Sequence, residues 1–347
     1  MVTLYREHYS SHSFICRFHL MAFAMFLILL VMQFPALGAS SPWKPQNPVE
    51  IVVATGPGGG MDRTARTIQS IVRERKIVAT PLNVVNKPGG GGAIGWTYLN
   101  QHKSDGHYLA IGSPALLTNH ITGKASLSHS SFTPLAMLIS EYTVFAVANE
   151  SPIRTGKDLL DRLRKDPRSV SVAISTSLGA GNHVAMGKVG KAAGVDISKL
   201  KMIVYGATGD AITAVLGGHV DLVPVTASSA LPFIQPGVKQ GSLRIVAIAS
   251  PQRLSGALAG VPTWKEQGIN VVHDSFRAVM GAKDIGVMQI AFWDGVFAAL
   301  ANTDAWKKDL ESNLWVNNYQ GSAGAAKYLE AEYNDYKKEL KDLGVIN

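Results

Sequence analysis

Apolar positions fall in short runs separated by glycine-rich turns along most of the chain, and the runs alternate between two periods. Residues 49–55 form a β-branched apolar run that stops at a glycine cluster, as a buried strand does. Residues 61–75 then carry Ala65, Ile68 and Val72 at helical spacing. Residues 82–86 read as a second strand before a second glycine cluster, 93–100 as a helix and 108–112 as a third strand. The rhythm resumes with a strand over 142–148 and a helix over 155–166, capped by Thr155 with Asp158 three residues on. A strand at 171–174, a helix over about 182–193 and short strands at 202–205, 222–225 and 243–249 follow. Strand–loop–helix alternation of this kind predicts mostly parallel sheets covered by helices, and two sets of units predict two α/β lobes. Near the end, Leu329, Tyr333, Tyr336, Leu340 and Leu343 make an amphipathic stripe, read as a terminal helix docked on one lobe.

The first forty residues follow a different pattern. Residues 20–32 are an unbroken apolar run of thirteen, preceded by Arg6 and Arg17 and followed by Ala36, Gly38 and Ala39. A membrane span needs about 20 apolar residues and a secretory core roughly 7 to 15. Residues 1–40 therefore read as a signal peptide, and the protein is expected in the periplasm. Further on, residues 287–301 are apolar but interrupted by Gln289 and Asp294, so they are not read as a span.

Composition narrows the function classes. Cys16 is the only cysteine and lies in the leader, which excludes disulfides and cysteine-built metal sites from the exported chain. The net charge of +8 favours anionic ligands. Its basic residues are scattered without aromatic interleaving, so no nucleic-acid partner is expected. Roughly 300 residues beyond the leader suit two domains.

Glycine loops hold the candidate chemistry. The first, Thr55-Gly56-Pro57-Gly58-Gly59-Gly60-Met61-Asp62, joins a strand to a helix. Glycines there let backbone N–H groups turn toward an anion at a helix N-terminus; a tight turn with no ligand is the other reading. No Lys-Ser or Lys-Thr follows, and the dinucleotide spacing places Met61 or Arg63 where glycine is needed, so neither nucleotide-loop pattern is met. The second loop runs Asn86-Lys87-Pro88-Gly89-Gly90-Gly91-Gly92, where ligand approach and close packing of two segments are equal readings. Ser175-Thr176-Ser177-Leu178-Gly179-Ala180-Gly181 supplies hydroxyls and glycines before a third helix. Around Ser177 the first glycine of a nucleophile elbow is missing. His107, His183, His219 and His273 stand isolated, with no zinc-type histidine pair. No cofactor, metal or catalytic residue is expected.

In order along the chain, Gly58-Gly59-Gly60-Met61-Asp62 with Ala65-Arg66, Asn86-Lys87-Pro88-Gly89 with Gly91-Gly92 and Gly95, Asp105-Gly106, Gly217-Gly218-His219-Val220-Asp221 and Pro262-Thr263-Trp264-Lys265-Glu266 form a set. With it, residues 44–347 resemble the Bug or TctC-like family, the extracytoplasmic solute receptors of tripartite tricarboxylate transporters. The resemblance implies a two-lobed periplasmic binding protein of type II-like α/β fold, with mostly parallel sheets joined by crossing strands. Lobe one would comprise 44–145 and 274–347, and lobe two 146–273. It implies a non-enzymatic monomer that captures a small carboxylate for membrane transporter subunits. Contacts carried over are Gly58, Gly59, Ser113, Ser177, Gly181 and Thr226. The chain departs from the family pattern at Gly90, at His107-Tyr108, at Gly206-Ala207 and at Ala282-Lys283-Asp284. An exported α/β hydrolase using the Ser177 loop is the alternative.

The leader pattern makes one prediction: cleavage between about Gly38 and Ser41 releases a soluble protein. Intact-mass measurement of exported protein checks this, and a mature species that keeps residues 20–32 contradicts it.

Overall fold

The computed structural model describes residues 42–175, 177–234 and 242–347. The expected leader with its cleavage span, Cys16 and Thr176 lie outside the described residues. The chain opens with β1 (Val49–Val53), α1 (Gly60–Glu74), β2 (Leu82–Asn86), α2 (Ala93–Asn100), β3 (Tyr108–Gly112), α3 (Pro114–Ile121) and β4 (Thr133–Ser140). There follow β5 (Thr143–Ala148), α4 (Gly156–Lys165), β6 (Ser171–Ser175), α5 (Gly181–Ala192), β7 (Lys201–Tyr205), α6 (Thr208–Leu216), β8 (Val223–Thr226), α7 (Ala227–Ala230) and β9 (Leu243–Ile248). The last elements are β10 (Arg277–Gly281), α8 (Val287–Ala301), α9 (Asp304–Ser312), β11 (Val316–Gly321) and α10 (Ser322–Asp342). Lys44–Asn347 forms one compact unit.

Two sheets organise that unit. The first has six strands in the order β11-β4-β10-β3-β1-β2. β1 pairs parallel with β2 and β3, while β10 runs antiparallel to β3 and β4, and β11 to β4. Strands β1 to β4 therefore share one direction and the two late strands return against it. In the second sheet β5 runs antiparallel between β8 and β9. The parallel pair β6-β7 joins it through the Val172–Leu222 bridge and a 2.8 Å bond from Ala173 N–H to the Leu222 carbonyl.

Both faces of these strands are covered, which is why their sequences read as continuous apolar runs. On β5, Phe145 and Val147 face a core with Leu159, Leu160 and Leu163 of α4, Val189 of α5 and Trp264. Val144 and Ala146 face the other core, with Ile212 and Val215 of α6. The Thr155 capping box forms as its spacing predicts, with Thr155 Oγ1 accepting the Asp158 N–H at 3.1 Å. The apolar stretch Val287–Ala301 is a helix that buries Trp293, Val296, Phe297 and Leu300. No helix among the described residues is long and apolar enough to cross a membrane.

The chain passes from the first sheet to the second between Ser140 and Thr143 and returns through 273–277. These two crossing segments pair with each other. Tyr142 bridges Asp274, Thr143 N–H bonds the His273 carbonyl at 3.2 Å, and Ser275 N–H bonds the Glu141 carbonyl at 2.7 Å. The terminal helix departs from the expectation of docking on one lobe. Its Tyr333 and Glu330 reach His120 and His129 on the side of the first sheet, while Asp335 and Asp342 pair with Lys188 and Lys191 of α5. A stripe that looks like one apolar face thus carries polar neighbours that contact elements beside both sheets.

Gly95 shows how tightly α2 is set. A Cβ there would lie 2.8 Å from both Cα and Cβ of Ala54, at the end of β1. Helix propensity favours alanine over glycine by about 1 kcal/mol, but overpacking against backbone costs about 1–3 kcal/mol. Gly95→Ala is therefore expected to lower stability by about 1 kcal/mol in urea unfolding. A variant as stable as the parent would show that α2 is free to shift outward.

Candidate ligand-binding cleft

Between the two sheets lies a cavity of about 910 Å³. Its walls are made by the loops that follow the parallel strands, because chain direction puts those loops and the helix N-termini after them at one edge of each sheet. Residues at the N-terminal ends of α1, α3, α5 and α6 line it: Gly59 and Gly60, Ser113 and Ala115, Gly181 and Asn182, and Thr208. Helix N-termini present N–H groups without intrahelical acceptors and a partial positive charge. No acidic side chain is among the lining residues, whereas Lys124 and Arg277 are. The wall is built for an anion.

Five of the six expected contact residues, Gly59, Ser113, Ser177, Gly181 and Thr226, lie on this wall. Gly58 does not. Its N–H bonds Asp62 Oδ2 at 2.9 Å, so it is spent inside the loop. Gly58 is also the residue that needs glycine's freedom, with φ of +87°. Gly59 has φ of −79°, which any residue adopts. Asp62 organises the turn. It also takes Arg66 Nε at 2.8 Å and Asn86 Nδ2 at 3.0 Å, which ties the first glycine loop to the start of the second. The Arg66 bond holds the Asp62 carboxyl down at about 2 despite burial, with help from the Gly58 N–H.

The floor of the cavity is the returning crossing segment. Extended backbone alternates its side chains, so Ser275 and Arg277 face the cleft while Asp274 faces the other way, and His273 borders both cavities. Arg277 is 7% exposed. Its Nη2 bonds Glu141 Oε2 at 3.0 Å, and its Nη1 bonds Ser275 Oγ at 2.9 Å and the Phe276 carbonyl at 2.9 Å. Tyr336 of α10 also lines the floor. Sequence reasoning missed Lys124 and this stripe. Lys124 sits in an ordinary surface turn, and Tyr336 was absorbed into an apolar helix face. The alternation His273, Ser275, Arg277 is a legible strand signal, but it precedes the strand's apolar part.

Behind the segment lies a second cavity of about 380 Å³ of opposite character. Asp274, Glu332 and Asp335 line it with Lys188. Burial pushes the Asp274 carboxyl up and the Glu332 carboxyl to about 7. A site that resists its own negative charges is a poor place for a carboxylate. The Ser177 hydroxyl accepts from Lys124 Nζ at 3.1 Å, and His183 Nδ1 accepts the Gly179 N–H at 2.9 Å. Burial lowers His183 to about 4, and its ring is turned to backbone rather than to Ser177. This is not the arrangement of a serine activated by histidine.

Comparison with known proteins gives a consistent picture. A family model described as tripartite tricarboxylate transporter family receptor matches residues 64–329. The chain is 28% identical over 302 residues to the UPF0065 protein in the gbd 5′ region of Cupriavidus necator, covering 87% of this chain and 89% of that one. A TctC solute binding protein from Polaromonas, solved without ligand, superposes with a TM-score of 0.71 at 24% identity, over 86% of this chain and 99% of that one. Rpa4515 of R. palustris, solved with adipate, superposes with a TM-score of 0.74 at 21% identity, over 86% and 98%.

The glycine loop's dependence on Asp62 is testable through pH. A carboxyl whose folded pKa is depressed from 3.8 to about 2 stabilises fully above the unfolded value and loses that contribution as pH falls through the folded one. Arg66 is half exposed, so the contribution is about 1–2 kcal/mol after screening. Asp62→Asn should lose this amount at neutral pH, and the gap between the two proteins' urea midpoints should shrink from about pH 4 toward about pH 2. A gap that stays constant with pH would mean the charge does not hold the loop.

Proposed function

The chain belongs to the tripartite tricarboxylate transporter receptor family, and from that premise we propose that it captures a small carboxylate in the periplasm and presents it to membrane transporter subunits. The observation that carries this reading is the acid-free cleft lined by four helix N-termini, Lys124 and Arg277. Backbone donors at such ends bind a carboxylate without a dedicated cation, and their partial charges add to the field of Lys124, while the charge of Arg277 is offset by Glu141. The adipate held by one structural neighbour fits the same chemistry. In this reading Gly59, Ser113, Ser177, Gly181 and Thr226 contact the ligand, and Gly58 supports them through Asp62. Lobe one comprises 44–145 with 274–347, lobe two comprises 146–273, and the ligand sits between them.

Thermal unfolding in the presence of carboxylic acids tests the proposal. An acid at about 100 times its dissociation constant should add about 2.7 kcal/mol to stability. Gly59→Val supplies the control for location. A Cβ at Gly59 meets nothing within 4 Å, so the side chain projects into open space and the fold is spared. The variant should melt like the parent without ligand and bind the stabilising acid at least about tenfold more weakly, about 1.4 kcal/mol. A panel of mono-, di- and tricarboxylates that leaves the melt unmoved would sink the receptor reading. Unaltered affinity in Gly59→Val would remove the glycine loop from the site.

A further inference from the structure

The terminal helix α10 presents a ridge of acids to α5. Glu332, Asp335, Glu339 and Asp342 recur at intervals of three and four, so they share one helix face. Opposite them α5 offers two cations three residues apart, Lys188 and Lys191. Lys188 pairs with Asp335 and Lys191 with Asp342, which leaves Glu332 and Glu339 over. Glu339 shares a groove with both lysines. Glu332 is the stranded one. It lines the cavity of about 380 Å³ behind the crossing segment, and among the described residues no hydrogen bond or ion pair holds its carboxyl.

Every element packed around Glu332 opposes a charge there or leaves it unanswered. The returning crossing segment brings Asp274, a buried acid that takes the Tyr328 hydroxyl at 3.1 and 3.0 Å. It also brings His273, whose ring burial holds neutral, down at about 3. The outgoing segment adds the Tyr142 phenol, raised by burial and by Asp274, and β11 adds the uncharged Asn317 and Asn318. On α10 itself stand Asp335 and two phenols, Tyr328 and Tyr336, which burial keeps protonated. Lys188 of α5 is the cation that answers three carboxylates, so ionising all of them leaves an excess of negative charge in a cavity with little water. Burial first, and then Asp274, pushes the Glu332 carboxyl up to about 7.

We propose that Glu332 is a proton switch on the contact between α10 and α5: with its proton the acid ridge closes on Lys188, and without it repulsion among Glu332, Asp274 and Asp335 loosens that contact. The Lys191–Asp342 pair and Leu343, whose side chain fills the space beside Gly187, join the helices in either state, so they loosen and do not separate. A carboxyl raised from 4.5 to about 7 contributes stability that is fully present below 4.5 and lost as pH rises to about 7. His183 and His273, buried neutral, act in the opposite sense, but a parent and a Glu332 variant share them and their effect cancels in the difference.

Urea unfolding and amide hydrogen exchange of the ligand-free protein, from about pH 4 to about pH 9, test the switch. Glu332→Gln supplies the neutral form at every pH. Its urea midpoint should match the parent's near about pH 4 and exceed it above about pH 7. At about pH 8 its α5 amides should exchange at least about tenfold more slowly than the parent's, the factor that one pKa unit carries. Lys188→Met removes the cation facing Glu332 and should move the loosening of α5 to higher pH, which loss of a merely structural lysine would not do. A midpoint gap that is constant with pH, or α5 exchange that ignores Glu332→Gln, overturns the switch. Should Glu332→Gln fail to fold, a loosening whose pH is unmoved in Lys188→Met overturns it equally. No acid ligand is added in these measurements, so their failure leaves the receptor reading standing.

Discussion

The buried pair between Arg277 and Glu141 is the constraint from which the rest of the cleft follows. Its side chains are 9% and 1% exposed. Glu141 sits on the outgoing crossing segment and Arg277 on the returning one, so the pair locks the two crossings to each other. Glu141 also accepts the Ser228 N–H at 3.2 Å and the Ser228 hydroxyl, which ties the crossing to the turn after β8 in the second sheet. A buried ion pair adds little net stability over apolar packing, but removing one partner costs about 3–5 kcal/mol because the other charge is stranded. What the pair supplies is position. The guanidinium it holds occupies the space beside Gly60, where any Cβ would collide. The last glycine of the first loop is therefore required by packing against the crossing, a different reason from the conformational one at Gly58.

The same extended segment explains why two cavities on either side of it differ in sign. Alternation sends Ser275 and Arg277 forward and Asp274 back, with His273 bordering both cavities. In front, charge balance is positive: Arg277 is offset by Glu141, and among the described residues Lys124 bonds the neutral Ser177 hydroxyl and Leu178 carbonyl. Behind, Asp274 accepts the Tyr328 hydroxyl at 3.1 and 3.0 Å and stands with Glu332 and Asp335 against a single Lys188. A register shift of one residue would exchange the two faces and put an acid on the anion side. The Tyr142–Asp274 bridge and the two backbone bonds beside it hold that register.

Much of this was legible before any coordinates. The alternating units, the Thr155 cap and the strand–glycine–helix joints rest on local chemistry, and local chemistry is what a sequence displays. β1, β2, α2 and β3 fall where the apolar periods put them. The late strands were not legible for a physical reason. β10 begins with a charged residue whose burial depends on a partner 136 positions away, and β11 is a half-buried edge rich in asparagine. The loop glycines were readable as a class, yet their separate duties were not. Gly58 supplies a backbone conformation, Gly59 open space, Gly60 room for Arg277 and Gly95 contact with Ala54. Each duty depends on a neighbour that only the tertiary structure brings close.

The terminal helix touches elements beside both sheets. Its apolar residues Leu329, Tyr336 and Leu340 are buried, and toward α5 it is joined both by Leu343, whose side chain fills the space where a Cβ of Gly187 would be, and by the Lys188–Asp335 and Lys191–Asp342 pairs, in which both aspartates and Lys191 are at least a third exposed. Exposed pairs of this kind are worth about 0–1 kcal/mol and reform readily with other geometry. Buried apolar contacts are worth about 1.5–3 kcal/mol for each large side chain and do not. The hierarchy of strengths makes the apolar contacts, Leu343 on Gly187 included, the main hold of the helix on its neighbours. Tyr336 therefore reaches the cleft floor from a helix held by apolar packing on the side of the first sheet and on α5 alike.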